Sequence, residues 1–347
     1  MQTIRTCQLM LAILTGFAPY AFAAPQKPTA TPKPTSTATR TPTSVPAATP
    51  TRTPTPRPAA TPTPPAGSVS ITITDPTPGA TIGADRFNVR GTFQGPTNTG
   101  VTVNGRIAYT GGGRYIANDV PLAVGTNTIT VIATGPDGRF STASVDVTAT
   151  GGTPNASFTA DVTKGMAPLT VLFTYSFNSY GIGPAGFRKL AIDFDGDGHD
   201  DYRTTTPWGS VQNAYSAPGL YLAVLTVTDT AGKLYKADIG IEVDTAGAMD
   251  GLFQSVWNPM NAALTRGDVT GALVYLNSSA QERYGRVFND LISDMPAIVS
   301  SYSAPQRVSV QGEFLEYAIN RVIDGENQIF FVYLLRDGDG VWRMDSL

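Results

Sequence analysis

One histidine and one cysteine stand in 347 residues, and each scarcity removes a class of chemistry. Cys7 precedes the apolar run from Leu9 to Ala18, so it is not the acylated residue of a lipoprotein signal, which must follow such a run. Residues 1–23 carry Arg5, that run and Ala21-Phe22-Ala23, a small-x-small cleavage site. This is the pattern of a secretory signal peptide, with an apolar part too short to span a membrane. Its removal takes Cys7 with it. Disulfides, thiol catalysis and zinc–thiolate sites are then excluded, and the exported chain must be held by packing and by ions. Any hydrolytic triad would need His199, which sits among carboxylates. No Gly-rich phosphate loop, Gly-x-Ser-x-Gly elbow or His-Glu-x-x-His pair occurs. No later stretch is long and apolar enough to be an integral membrane span. The expectation is a protein without catalytic residues.

Acidic residues are absent before Gly67, while Lys27, Lys33, Arg40, Arg52 and Arg57 punctuate a segment built almost wholly of Thr, Pro and Ala. Residues 24–67 cannot form a core and read as a disordered, proline-rich linker. In polyproline geometry, at about 3.1 Å per residue, it reaches on the order of 100 Å. Threonine beside proline also suits O-glycosylation. Beyond Gly67 lie all 27 acidic residues against 18 basic ones, a balance of −9. That sign argues against a nucleic-acid partner.

The sharpest chemical statement is Asp193-Phe-Asp-Gly-Asp-Gly-His-Asp-Asp201. Asp193, Asp195 and Asp197 fall at alternate positions, with Leu190, Ile192 and Phe194 in the other phase, so an extended chain sends one set inward and converges the carboxylates. Gly196 and Gly198 allow a sharp turn around a cation. Carboxylates at positions 1, 3 and 5, the His199 carbonyl at 7 and Asp201 at 9 follow the order of hard-oxygen calcium loops. The bidentate glutamate expected at position 12 is Thr204, so this is not a complete EF-hand, and the affinity falls in the extracellular range of about 10⁻⁴ to 10⁻³ M. The other reading of the same residues is a solvated acidic hairpin loop without metal.

Three folded modules follow the linker. Over 68–150, Val69, Ile71, Ile73; Phe87, Val89; Val101, Val103; Ile107, Tyr109; Ile129, Val131; and Val145, Val147 alternate as short strands, with reversals at Asn104-Gly105 and Gly135-Pro-Asp-Gly138. Val101-Thr-Val-Asn-Gly105, Val120-Pro-Leu122 and Gly125-Thr-Asn-Thr-Ile-Thr-Val131 resemble the bacterial immunoglobulin-like domains found in tandem on secreted proteins. Residues 154–244, through Ala156-Ser-Phe-Thr-Ala160, Ala167-Pro-Leu-Thr-Val171, Tyr215-Ser-Ala-Pro-Gly-Leu-Tyr221 and Leu225-Thr-Val-Thr-Asp229, resemble a PKD domain, another immunoglobulin-like sandwich. Where that family carries Trp-Asp-Phe-Gly-Asp-Gly, this chain has Ile192-Asp-Phe-Asp-Gly-Asp-Gly198, and the extra Asp makes a metal loop of a structural turn. Leu220, Leu222 and Val224 are expected to alternate into that sandwich.

Beyond Ala246 the apolar period changes to 3.6, with Leu252, Phe253, Val256, Trp257, Met260, Ala263 and Leu264 on one helical face and a kink expected at Pro259. Asp268 caps a second helix, and Ser279-Ala-Gln-Glu282 reads as the capping box of a third, stopped by Met295-Pro296. Strands follow over 308–311, 314–322, 328–336 and 341–347. The order resembles the NTF2-like cone fold over 247–347, a fold that implies homodimerisation through its open sheet face. Its catalytic members place His, Asp or Tyr inside the cone; this segment has no histidine, and Trp257, Tyr275, Tyr284 and Phe288 read as core.

The sequence therefore describes two all-β immunoglobulin-like sandwiches followed by an α+β NTF2-like domain. The function expected is a secreted or cell-envelope adhesion protein, at the periplasm, cell surface or outside the cell, that engages a protein or glycan and is stiffened by calcium. A small-molecule-binding or catalytic cone on a β-sandwich stalk, and a structural spacer in a surface assembly, are the alternatives.

Overall fold

The computed structural model describes residues 68–178 and 186–347. The signal peptide, Cys7 and the Thr/Pro linker, residues 1–67, lie outside the described residues.

In the first module β-branched residues alternate with polar ones over β1 (Ser70–Asp75), β2 (Thr81–Ile82), β3 (Arg86–Gln94), β4 (Gly100–Val103), β5 (Arg106–Ile107), β6 (Tyr109–Gly111), β7 (Arg114–Pro121), β8 (Gly125–Thr134) and β9 (Phe140–Ala149). The sheets run β1-β3-β7-β6 and β2-β9-β8-β4-β5. Val89, Tyr115 and Ala117 of one meet Val101, Val131 and Val147 of the other in the core. The chain enters on one sheet, then crosses to the other, where β2 runs parallel to the last strand, β9. That layout belongs to immunoglobulin-like sandwiches. Asn104 and Gly105 turn with φ of 47° and 78°, the positive pair that a two-residue primed hairpin requires. Ile107 and Tyr109, expected on one strand, fall on β5 and β6 in opposite sheets; the fully buried Ala108 marks the crossing between them.

The second module repeats the layout with β10 (Ala156–Ala160), β11 (Lys164–Met166), β12 (Leu169–Phe177), β13 (Phe187–Asp193), β14 (Tyr202–Thr204), β15 (Trp208–Tyr215), β16 (Gly219–Asp229) and β17 (Leu234–Asp244). Sheet β10-β12-β15 faces sheet β11-β17-β16-β13-β14, and β11 runs parallel to β17. Phe173 is the hub of the core, with Phe158 and Phe194 both 5.1 Å away and Tyr215 at 6.5 Å. One expectation is corrected here. Ala223, Leu225 and Val227 point into this sandwich, whereas Leu220, Leu222 and Val224 pair with Glu242, Gly240 and Asp238 on the opposite face of the sheet. On that second face Leu220 is buried against Gly111 of the first module, and Leu222 lies beside Gly196 of the acidic loop.

The C-terminal module comprises α1 (Ala246–Thr265), α2 (Val269–Leu273), α3 (Ser278–Asp290), α4 (Met295–Ser300), β18 (Gln306–Gln311), β19 (Phe314–Ile323), β20 (Glu326–Arg336) and β21 (Trp342–Ser346). Thr245 caps α1, which continues through Pro259, and Asp268 caps α2 as the sequence predicts. The cap of α3 is Asn277, not Ser279: its Oδ1 accepts from Ala280 N while Nδ2 donates to Asp345. The tie to the last strand selects the earlier residue. Pro296, expected to stop α3, instead opens α4, where its missing N–H costs nothing. The helices pack on the antiparallel sheet β18-β19-β20-β21, burying Phe253, Trp257, Phe288, Tyr317 and Leu334. Trp257 and Phe288 are thus core residues.

The three modules belong to one compact unit. Asn118 exchanges two hydrogen bonds with Gly240 backbone (2.8 and 2.9 Å), and Arg90 pairs with Asp238 at 2.8 Å. Ile116, buried outside the first module's own core, reaches over Gly240, where a Cβ would lie 2.7 Å from its Cγ2. Asn98 pairs through its amide with both backbone groups of Trp342 at 2.8 Å. Buried polar groups at a junction are favourable only when partnered, and these are.

Candidate functional site

The acidic loop joins β13 to β14 at one end of the second sandwich. Ile192 and Phe194 anchor it by entering the core, and Tyr215 donates its hydroxyl to Phe194 O at 2.8 Å. Asp193, nearly buried, accepts from Gly196 N at 2.7 Å and from Gly198 N at 2.8 Å. Gly196 and Gly198 have φ of 78° and 91°. Those left-handed positions aim their N–H groups back at the first carboxylate. Asp195 accepts from Asp197 N at 3.1 Å, and Asp197 accepts from His199 N at 2.7 Å.

The loop thereby gathers one carboxylate oxygen each from Asp193, Asp195 and Asp197 within 4.8 Å of one another. Asp201 lies outside that cluster. Its carboxylate accepts from Phe194 N at 2.7 Å at the root of the loop. The His199 ring is exposed, 3.2 Å from Asp197 Oδ1. Partial burial pushes the Asp195 carboxyl above its ordinary range despite the bond from Asp197 N, with repulsion from Asp197, Asp201 and Asp193 adding to the shift. The N–H of His199 holds Asp197 below that range. Three convergent carboxylates on a turn whose backbone is already hydrogen-bonded are chemically suited to a hard divalent cation; carboxylate oxygens that accept N–H bonds retain lone pairs for it.

Asp337-Gly-Asp-Gly340 is a hairpin turn, closed by Asp337 N to Val341 O at 2.9 Å. Its carboxylates are neutralised by Arg343 at 2.7 and 2.8 Å. The cleft where the three modules meet is lined by Lys164, Glu242, Asp244, Arg336 and Trp342, with Leu252 of the α1 face beside them. These residues come from distant segments with no shared motif, so no local signal marks them.

The fold defines a class, a modular protein with immunoglobulin-like β-sandwiches. No family model matches the chain, and no curated protein matches it. Among solved structures it is similar to the fibronectin(III)-like modules of Clostridium thermocellum CbhA, at 14% identity over 51% of this chain and 96% of that one, with a TM-score of 0.21. It is also similar to the tandem Ig repeats of Dlar, at 16% identity over 52% and 100%, with a TM-score of 0.23. These similarities carry no functional argument; the sandwich assignment rests on the strand order.

Proposed function

We propose that the chain is an exported, non-catalytic binding protein of the cell envelope or surface, with a calcium-stiffened PKD-like second module and an NTF2-like C-terminal domain that engages a protein or glycan. The observation that carries the reading is the acidic loop, whose three carboxylates converge within 4.8 Å on a pre-ordered turn. Asp193, Asp195 and Asp197 hold the ion, and the His199 carbonyl and Asp201 are the further ligands that the order of the loop implies. Differential melting of the full chain in EDTA and in 1 mM calcium tests it. A site with Kd near 0.1 mM stabilises the module that contains it by about 1.4 kcal/mol under those conditions. Equal melting in both solutions would leave a charged turn.

The partner surface includes the outer face of the C-terminal sheet. Phe331, Ile329 and Val322 are exposed there, and Phe314 stacks on Tyr333 at 5.4 Å. Side chains opposite the helix layer are apolar where solvent would favour charge, which supports a homodimer through this face. The double variant Ile329→Lys, Phe331→Lys is expected to halve the mass measured by light scattering without lowering the melting temperature. A wild-type chain that is monomeric at high concentration removes the dimer.

A further inference from the structure

A sheet edge exposes a row of unpaired N–H and C=O groups, and folded proteins shorten it, interrupt it or cover it. Among the described residues every edge but one is treated in this way. Strands β2, β5, β6, β11 and β14 are two or three residues long, and β10 is five. Register irregularities break β1 between Ile73 and Asp75 and β18 between Arg307 and Ser309. The edge of β21 is covered: Met344 N donates to Tyr275 O and Met344 O accepts from Asn277 N, both at 2.9 Å.

The exception is β15. It pairs with β12 from Trp208 to Tyr215 without a register shift, and it ends its sheet. No charged residue and no proline stands in those eight positions. Phe177 N donates to Pro207 O at 2.8 Å. That bond fixes the phase of the ladder, so the odd-numbered residues of β15 bond to β12, and Trp208, Ser210, Gln212 and Ala214 turn their backbone groups to the open side. The side chains of the same four residues are exposed, Trp208 at 68%.

The strand is complementary to itself. Two copies laid antiparallel about a two-fold axis at Val211 use its whole length. Trp208 then faces Ala214 of the second copy, and Ser210 faces Gln212, so the largest side chain meets the smallest and a hydroxyl meets an amide. On the inner side Val211 meets Val211 of the second copy, and Gly209 leaves room for Asn213. The four facing pairs with free backbone groups exchange about eight N–H···O bonds. Beyond Gly67 the chain carries a balance of −9, so most approaches of two copies oppose like charges. This strand opposes none.

We propose that β15 is a self-pairing edge, at which two copies of the chain join their three-stranded sheets into one continuous sheet through Val211. The contact is isologous, as a two-fold dimer requires. It is independent of the C-terminal sheet face, and a chain that loses that face keeps this one.

The test uses the full chain carrying Cys7→Ser, Ile329→Lys and Phe331→Lys, which has no thiol and lacks the other contact. Adding Val211→Cys is expected to give a disulfide-linked dimer as the main product of mild oxidation. Facing residues of a non-hydrogen-bonded pair stand about 4.5 Å apart at Cα, within disulfide range. Thr174→Cys, exposed on β12 one strand in from the edge, should remain monomeric under the same oxidation. In the same background without the added cysteine, Ser210→Lys with Gln212→Lys sets lysine against lysine in both central pairs and should weaken association at least about tenfold in sedimentation. Mixing that chain with one carrying Ser210→Glu and Gln212→Glu should restore a dimer of the two. No disulfide at Val211, a lysine chain that associates as tightly as its parent, or no recovery in the mixture would overturn the proposal; an edge that serves another protein's strand gives all three. The mixture decides the matter even if Val211→Cys fails to fold, because Ser210 and Gln212 are exposed.

Discussion

Replacing Gly100 by alanine is expected to loosen the contact between the first and third modules and to cost about 3 kcal/mol, from overpacking and lost hydrogen bonds together. Gly100 opens β4 against the turn that precedes β21. A Cβ there would overlap the Gly340 carbonyl carbon and approach Asp339 O and Val341 N at 2.5 Å. All three are backbone atoms, so no rotamer change relieves the clash, and the turn must withdraw. With it go the paired bonds between Asn98 and Trp342 and the bond from Arg336 to Ala108 O. For a unit of this size the loss corresponds to a melting temperature lower by roughly 6–12 °C, with the transition splitting as the modules uncouple. Gly83→Ala, where a Cβ meets nothing within 4 Å, is the control and should melt like wild type. If Gly100→Ala melts like that control, the close approach of the two glycines does not persist in solution.

The second large effect is expected at Asp193. Its carboxylate is the acceptor for two loop N–H groups, and truncation to alanine leaves both to find water in a turn that is only partly wet. Charge-assisted bonds of this kind contribute about 1.5–3 kcal/mol each, discounted here by solvent access. A loss of about 2–3 kcal/mol in EDTA is expected, together with loss of the calcium-induced shift. Asp195→Asn should separate the two roles. Its carboxyl is held above the ordinary range by partial burial and by its neighbours, so neutralising it relieves repulsion and leaves melting in EDTA unchanged or slightly raised. The calcium shift should nevertheless vanish. A calcium response preserved in Asp195→Asn would refute the assigned ligands, and an Asp193→Ala protein as stable as wild type in EDTA would mean that the loop is not ordered by its own carboxylate.

The sequence by itself determined the local structure. The period-2 runs became strands, and the acidic nonapeptide became a turn whose first three alternate carboxylates converge, because these depend on residues close in the chain. The period-3.6 run became α1, and Asp268 capped α2, for the same reason. Only tertiary structure decided which apolar face was which. Leu220, Leu222 and Val224 read as sandwich core, yet they lie on the opposite face of the sheet, where Leu220 meets Gly111 of the first module, since period 2 distinguishes two faces without saying what lies on each. Tertiary contact also chose the α3 cap, where Asn277 gains a bond to Asp345 that the local Ser279-to-Glu282 box cannot offer. The junction cluster was illegible for the strongest form of that reason: Lys164, Glu242 and Arg336 are unremarkable where they stand in the chain, and their charges meet in one ion-pair cluster with Glu313 only when the modules pack.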